Sequence, residues 1–206
     1  MYARTNTVRT DPQTIEEGIA NVRDEVMPLV LGMDGCIGLS MLADLDSGRC
    51  IVTTAWRTEE AVHASDEGVR ASREHAAQVS GAVPEVAVYE IAVMHRLHET
   101  AEGARTRVIW GGTERGQMDD MLSSFRMVMM PKMEELPGFA ACTMMVDRAT
   151  GRTAAAVTYD SADTMRQANE RAAQLRSESP SMIGMRIDEV AEFDLVIAHL
   201  RVPETV

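Results

Sequence analysis

The chain carries little positive charge and no long apolar run. Its 206 residues include 20 Lys or Arg against 32 Asp or Glu, a formal net charge of -12, and Lys132 is the only lysine. Binding to a nucleic-acid backbone needs many cationic side chains, so we expect no nucleic-acid partner. No apolar stretch reaches the about 20 residues that cross a bilayer, and the first residues enter a strand-like pattern without an apolar signal segment. We therefore expect a cytoplasmic protein with no membrane partner.

Cysteine is also scarce. The three cysteines, Cys36, Cys50 and Cys142, are odd in number and lack the C-x-x-C spacing. A disulfide framework or a zinc site needs paired or clustered thiols. The sequence therefore predicts reduced, mostly buried thiols and no metal site.

What the chain does contain is a long internal repeat. Residues 1–97 and 104–206 align with a shift of 103 positions that becomes 104 near the end. Matching positions include Arg4 and Arg107, Gly35 and Gly138, Asp44 and Asp147, Trp56 and Tyr159, and His95 and His199. A repeat of this length is a folded unit rather than one turn of a solenoid. We therefore divide the chain into a first repeat, 1–97, and a second repeat, 104–206, joined by a short polar linker.

Each repeat shows the pattern strand, helix, strand, strand, helix, strand. The first helix has apolar residues at helical spacing and contains a proline near its end, Pro28 or Pro131, which should bend it. A hairpin with a glycine in its turn follows, and Thr58 or Ser161 is the expected N-cap of a single second helix. This order predicts a ferredoxin-like α+β unit, with two helices on one face of a four-stranded antiparallel sheet.

The other face of such a sheet is left bare. A lone unit would expose more apolar sheet surface than a soluble monomer usually tolerates. Two tandem units can cover these faces by packing sheet to sheet. The fold prediction is therefore a single-chain pseudo-dimeric α/β barrel made of two tandem ferredoxin-like repeats.

These features resemble the dimeric α/β-barrel superfamily, and within it the antibiotic biosynthesis monooxygenase-like domains. The resemblance rests on the first helix ending in Met27-Pro28 or Met130-Pro131, on the hairpin, and on strand ends such as Thr54-Ala55-Trp56. Some members of the superfamily oxidise aromatic, polyketide-like substrates without a cofactor, and others bind and degrade heme. The resemblance therefore implies a pocket between sheet and helices, in an enzyme or in a non-catalytic ligand-binding protein.

The resemblance to heme-degrading members points to Asn6 and His75. In those proteins an asparagine on the first strand accompanies a histidine on the second helix that ligates iron. The tryptophan of the same family triad would fall on Ser65, so the chain departs from the pattern there. In the second repeat the places of Asn6 and His75 hold Ile109 and Glu178. The plainer alternative is an asparagine satisfied by neighbouring backbone and a histidine at the edge of the solvent.

Arg4 and Arg107 are matching arginines on the first strands of the repeats. If they face a pocket, they can hold a carboxylate or an enolate; otherwise we expect them to pair with Glu90 or Asp194 on a final strand. Trp56 and Tyr159 end matching strands and suit either core packing or a pocket wall.

Histidine and methionine complete the candidates. His95 and His199 match between the repeats and are expected to be structural, while His63 is expected to be exposed. The H-x-x-H pair of His95 and His98 has no further ligands for a metal. Methionines are dense in the first helix of the second repeat, and this is where we expect an apolar cavity: Met118, Met121, Met127, Met129, Met130 and Met133.

The leading functional hypothesis is a small-molecule-binding protein that resembles cofactor-independent monooxygenases acting on aromatic or polyketide-like substrates. His75 would then be the base, Asn6 the oxyanion donor, Arg4 the anchor and Trp56 the pocket wall. Arg107 and Tyr159 would bind substrate in the second repeat. The alternatives are a non-catalytic ligand-binding or structural protein, and a heme-binding or heme-degrading protein. A homo-oligomer is compatible with the pattern.

Overall fold

The computed structural model describes residues 1–80, 83–100, 102–200 and 203, and it describes no side chain for residues 75, 76, 79, 80 and 200. The chain divides into two compact units. The first unit consists of Met1–Tyr89 with Phe193–Val202, and the second unit consists of Glu90–Glu192 with Pro203–Val206. The two ends of the last strand of the chain therefore belong to different units.

The first unit contains three complete strands, and the middle one, β3 (Arg49–Trp56), hydrogen-bonds to both neighbours. Asn6 of β1 (Tyr2–Arg9) faces Val52 of β3. Ser40 of β2 (Cys36–Asp44) faces Thr53 of β3 on one side and Ala198 of the final strand, β8 (Arg186–Leu200), on the other. The elements are β1 (Tyr2–Arg9), α1 (Ile15–Asn21), α2 (Met27–Leu31), β2 (Cys36–Asp44), β3 (Arg49–Trp56), α3 (Glu59–Ala64), α4 (Arg70–Ser80) and the start of β4 (Glu85–Arg96).

The second unit repeats this arrangement, with β7 as the middle strand. Ala155 of β7 faces Ile109 of β5 and Met144 of β6, and His95 of β4 faces Cys142 of β6. The elements are β5 (Arg105–Gly112), α5 (Met118–Ser124), α6 (Met130–Glu134), β6 (Phe139–Asp147), β7 (Arg152–Tyr159), α7 (Ala162–Gln167), α8 (Asn169–Ile183) and the start of β8 (Arg186–Leu200).

The hydrogen-bonded order of the strands is β1-β3-β2-β8 in the first unit and β8-β5-β7-β6-β4 in the second. This order confirms the prediction of two tandem α+β repeats with an eight-stranded antiparallel sheet. The predicted turn glycines are confirmed as well, because Gly48 and Gly151 adopt φ of 73° and 79°, a region that only glycine enters without strain. Side-chain oxygens of Thr58 and Ser161 cap the helices after β3 and β7, as expected.

The first helix of each repeat differs from the prediction of one bent helix. A π-helical segment, Val22–Val26 or Phe125–Met129, lies immediately before the Met-Pro pair. Each proline is the second residue of a new short helix, where its missing N–H removes little hydrogen bonding. The widened π turn carries Phe125 and Met129 toward the interior of the second unit.

The prediction of a single second helix in each repeat is wrong. The structure has two helices there, with a turn after α3 and a break at Ala168 between α7 and α8. Arg4 fills the space beside the turn after α3, where it bonds to Ser65 and Asp66. The side chain of Arg4, on β1, thus forms its hydrogen bonds and ion pair at the turn between α3 and α4.

Among the helices that the structure describes, none is both long and apolar enough to cross a membrane. The same part of the chain holds no group of three or more His, Cys, Asp or Glu arranged to bind a metal ion. Cys36, Cys50 and Cys142 are free thiols, as predicted, and the last two are buried.

Candidate functional site

The second unit contains a cavity between its sheet and its helices. The cavity has a volume of about 500 Å³, which includes the space open to solvent at its mouth. Most of the lining is apolar and comes from β5, β6, β7, the π-helical segment and α8. The lining residues include Ile109, Phe125, Met129, Met133, Met144, Ala155, Val157, Ala172, Leu175 and Ile183. The expected apolar cavity beside the methionine-rich helix is therefore confirmed.

Two alanines make room for this cavity. Ala155 lies on β7 and Ala172 on α8, and both line the cavity. The first repeat has valine at both matching places, Val52 and Val69, and these side chains pack in the core of the first unit. Each alanine lacks two carbon atoms that the matching valine supplies, so the second unit leaves open a space that valines fill in the first.

Arg107 lies at the polar end of the cavity and is 1% exposed. Its Nε donates to Glu192 Oε1 at 3.0 Å, its Nη2 donates to the same oxygen at 2.6 Å, and Nη2 also donates to Asn169 Oδ1. Its Nη1 lies 3.4 Å from the hydroxyl of Tyr159, and the guanidinium stacks over the Tyr159 ring at 5.5 Å. Glu192 and Asn169 therefore hold Arg107 in place, with Tyr159 beside it.

A second arginine, Arg176 on α8, lines the same cavity. Burial lowers its pKa, and the positive charge of Arg107 lowers it further, while Tyr159 and Glu192 act in the opposite direction. Burial raises the pKa of Tyr159, although both arginines oppose that shift. Nη1 of Arg176 is buried and has no hydrogen-bond partner among the described residues. The cavity thus has an apolar body and one polar end with an unpartnered donor.

In the first unit, Arg4 is held by its own surroundings. Nη1 donates to Ser65 Oγ at 2.8 Å, Nη2 donates to the carbonyl oxygen of Val62, and Nη2 lies 2.8 Å from Asp66 Oδ1. Arg73 of α4 also contacts Asp66, at 3.3 Å.

The alternative expectation, that Arg4 and Arg107 pair with Glu90 or Asp194, is wrong. Arg107 pairs with Glu192, whereas Asp194, two residues further along β8, faces Ala43 of β2 in the first unit. Arg4 pairs with Asp66, at the turn that follows α3. Glu90 instead contacts Arg148.

The other predicted residues of the first repeat are placed as follows. Asn6 lies on β1 two residues from Arg4 and so on the same face of the strand. Its Oδ1 is buried and has no hydrogen-bond partner among the described residues, contrary to the plainer expectation of an asparagine satisfied by backbone. Trp56 is fully buried, and its indole N–H donates to Thr54 Oγ1 at 2.9 Å. His75 lies in α4, and its side chain is outside the described residues.

The residues of the second unit do not fit a heme. Ile109 occupies the place of Asn6, and Glu178 occupies the place of the expected iron ligand. In the first unit, Ser65 is buried and accepts from Arg4 where the family triad has tryptophan.

His95 and His98 each contact a carboxylate. His95 Nε2 lies 2.9 Å from Glu134 Oε1, and His98 Nε2 lies 2.7 Å from Asp160 Oδ1. The side chain of His63 is 65% exposed, as expected. These contacts agree with structural positions at the surface or near it.

Sequence reasoning missed Arg176, Asn169 and Glu192. Arg176 could have been found from the repeat, since it lies 103 positions after Arg73 and one residue beyond Leu175 on the inward face of its helix. Asn169 likewise occupies the place of Asp66. The matches of Arg176 with Arg73 and of Asn169 with Asp66 do not by themselves predict a site, because sequence spacing does not show which helix residues contact a strand.

The fold defines a tandem ferredoxin-like α+β protein. A model of the antibiotic biosynthesis monooxygenase family matches residues 1–78. The uncharacterized protein Rv2557 of Mycobacterium tuberculosis is 43% identical over 206 residues, which cover 100% of this chain and 92% of that protein. Residues 1–78 therefore form a domain of the antibiotic biosynthesis monooxygenase family, and the whole chain belongs to one family with Rv2557.

Solved structures agree on the fold. An anthrone oxidase-like protein superposes with a TM-score of 0.69 at 14% identity, covering 98% of this chain and 94% of that one. A heme-degrading enzyme from Listeria monocytogenes superposes with a TM-score of 0.54 at 8% identity, covering 95% and 99%. At these identities the likeness concerns the fold alone.

Proposed function

We propose that the second unit binds a small apolar or aromatic molecule in its cavity. The observation that carries this proposal is a cavity with an apolar body and a few polar groups gathered at one end, which is the usual composition of a ligand pocket. Met129 and Met133 line it, and their flexible thioethers adapt to ligands of different shape. Arg107 and Tyr159 then contact the polar end of the ligand.

Calorimetric titration with 2-naphthamide, a neutral two-ring aromatic, tests the proposal. We expect saturable binding with one site per chain and a negative heat-capacity change, because apolar surface is removed from water. The variant Ala155→Val narrows the cavity and should weaken binding. Absence of saturable binding by the wild-type chain, at concentrations up to the solubility of the probe, contradicts the proposal.

A second candidate function is cofactor-independent oxygenation in the first unit. The family match of residues 1–78 and the fold shared with an anthrone oxidase-like protein support it. The specific observation in its favour is Asn6, a partly buried amide on β1 whose Nδ2 is a hydrogen-bond donor. In this reaction an anthrone-type CH₂ group loses a proton to His75 and gives electrons to O₂. One oxygen atom becomes the new carbonyl and the other leaves as water. Nδ2 of Asn6 donates to the enolate oxygen, and Trp56 forms the pocket wall.

Oxygen consumption with anthrone tests this candidate. We expect turnover that Asn6→Ala and His75→Ala each reduce by about 100-fold, the usual range for removing an oxyanion donor or a general base. Turnover that survives both substitutions contradicts the assigned roles. Ligand binding with no turnover at all favours the non-catalytic alternative.

A further inference from the structure

Both units place two arginines together between the first strand and the helix above it. In the first unit these are Arg4 and Arg73, and in the second unit Arg107 and Arg176, each pair separated by the same number of residues. The positive charge of each partner lowers the pKa of Arg4 and of Arg176, so the members of each pair are near enough to repel each other. Like charges in such a position need an anion between them.

In the first unit the protein supplies that anion. Asp66 Oδ1 lies 2.8 Å from Nη2 of Arg4 and 3.3 Å from Nη1 of Arg73. Arg73 Nη2 also donates to the backbone oxygen of Asp66 at 3.0 Å. One carboxylate therefore bridges both guanidinium groups and closes this place against an external anion.

In the second unit the bridging carboxylate is replaced by an amide. The residue that matches Asp66 is Asn169, and its Oδ1 accepts from Arg107. Glu192 also bonds to Arg107, through Nε and Nη2. Arg176 has no carboxylate within ion-pair distance among the described residues, and its buried Nη1 has no hydrogen-bond partner there. The carboxylate of Glu192 therefore bonds to Arg107 alone, and Arg176 lacks the bond that Asp66 gives to Arg73 in the first unit.

The guanidinium of Arg176, beside the apolar cavity, favours a ligand that carries a negatively charged oxygen. A guanidinium does not give up its proton in proteins, so the unfavourable burial of Arg176 cannot be relieved by neutralisation. A bound oxyanion relieves it by making a charge-assisted hydrogen bond to Nη1. The hydroxyl of Tyr159 accepts from Arg107 Nη1 at 3.4 Å, which leaves its own proton to donate to the same ligand oxygen. The apolar body of the cavity then holds the carbon skeleton.

We propose that the ligand of the second unit is an organic anion, an aromatic or apolar molecule whose carboxylate or enolate oxygen binds between Arg176 and Tyr159. This inference rests on the proposed function, because it names the chemical class of the molecule in the same cavity. It also gives the two repeats different roles: Asp66 closes the arginine pair of the first, and Asn169 keeps that of the second open.

The test compares 2-naphthoate with 2-naphthamide by calorimetric titration at pH 7. The two probes share size and shape and differ in charge. We expect the wild-type chain to bind the carboxylate about tenfold to a hundredfold more tightly than the amide, the range of a hydrogen bond to a charged group. We expect Arg176→Gln to reduce the affinity for naphthoate to about that for naphthamide. A thermal unfolding transition like that of the wild type, followed by circular dichroism, shows that the variant is folded.

Asn169→Asp supplies the second test and does not remove a buried group. It introduces the carboxylate of the first unit into the second, so the preference for naphthoate should also disappear. The matched control is Asp66→Asn, which makes the reverse change in the first unit and should leave the preference unchanged. Equal affinities of the wild type for both probes overturn this inference and leave the proposed function standing. Binding of neither probe overturns the proposed function itself, and a preference that survives both Arg176→Gln and Asn169→Asp places the anion elsewhere.

Discussion

Filling the cavity of the second unit should stabilise the protein and weaken its binding of ligand. Ala155 is 3% exposed, lines the cavity, and lies on β7 directly between Ile109 and Met144. Ala155→Val adds two carbon atoms, worth up to about 1.6 kcal/mol at roughly 0.8 kcal/mol per buried carbon. Valine also suits a strand, while small clashes reduce the gain. We expect a net stabilisation of about 1 kcal/mol and a rise in Tm of roughly 2–4 °C for a chain of this size.

The same variant should bind 2-naphthamide at least about tenfold more weakly, because the added methyl groups occupy the space that the ligand needs. Thermal denaturation followed by circular dichroism and calorimetric titration measure the two effects. The matched control is Val52→Ala in the first unit, where a half-buried valine is replaced by the residue of the second repeat. It should lose about 1 kcal/mol and keep the wild-type affinity. An Ala155→Val variant that is less stable than the wild type and binds as tightly would refute the assignment of the cavity.

Three further predictions concern groups that are buried in the two units. Burial raises the pKa of Cys142 to about 12, so a thiol reagent at pH 8 should label the half-buried Cys36 well before Cys142, and mass spectrometry of the labelled peptides checks this. Burial also raises the pKa of Tyr159 above its ordinary value near 10. The stability that the protonated phenol contributes is therefore present below pH 10 and is lost as the pH rises through the raised pKa. Tm measured from pH 9 upward should fall more steeply for the wild type than for Tyr159→Phe. Asp66→Ala removes the carboxylate partner of the buried Arg4, and urea denaturation should show a loss of about 1–2 kcal/mol, whereas removal of a fully exposed ion pair should cost less than about 0.5 kcal/mol.

The order of strands and helices could be predicted from the sequence because it depends on interactions between neighbouring residues. The turn glycines Gly48 and Gly151 and the caps Thr58 and Ser161 act on neighbouring backbone, so their effect is the same wherever the segment lies in the fold. The breaks within the second helices were not predicted. They depend on side chains such as that of Arg4, which arrive from a strand about 60 positions away in sequence.

Only part of the candidate site could be predicted from the sequence. Arg107 and Tyr159 could be predicted because they match Arg4 and Trp56 when the two repeats are aligned. Arg176 gave no comparable signal, since an arginine on a helix is usually exposed. Its importance comes from the fold, which brings it beside Arg107 and leaves its Nη1 without a partner among the described residues.

The repetition of one strand and helix pattern could be predicted from the sequence, because apolar periodicity, glycines and caps are properties of short segments. The cavity of the second unit and the carboxylate that bridges the arginine pair of the first could not. They depend on a few exchanges between the repeats, Ala155 for Val52, Ala172 for Val69 and Asn169 for Asp66, whose consequences arise only where strand and helix meet.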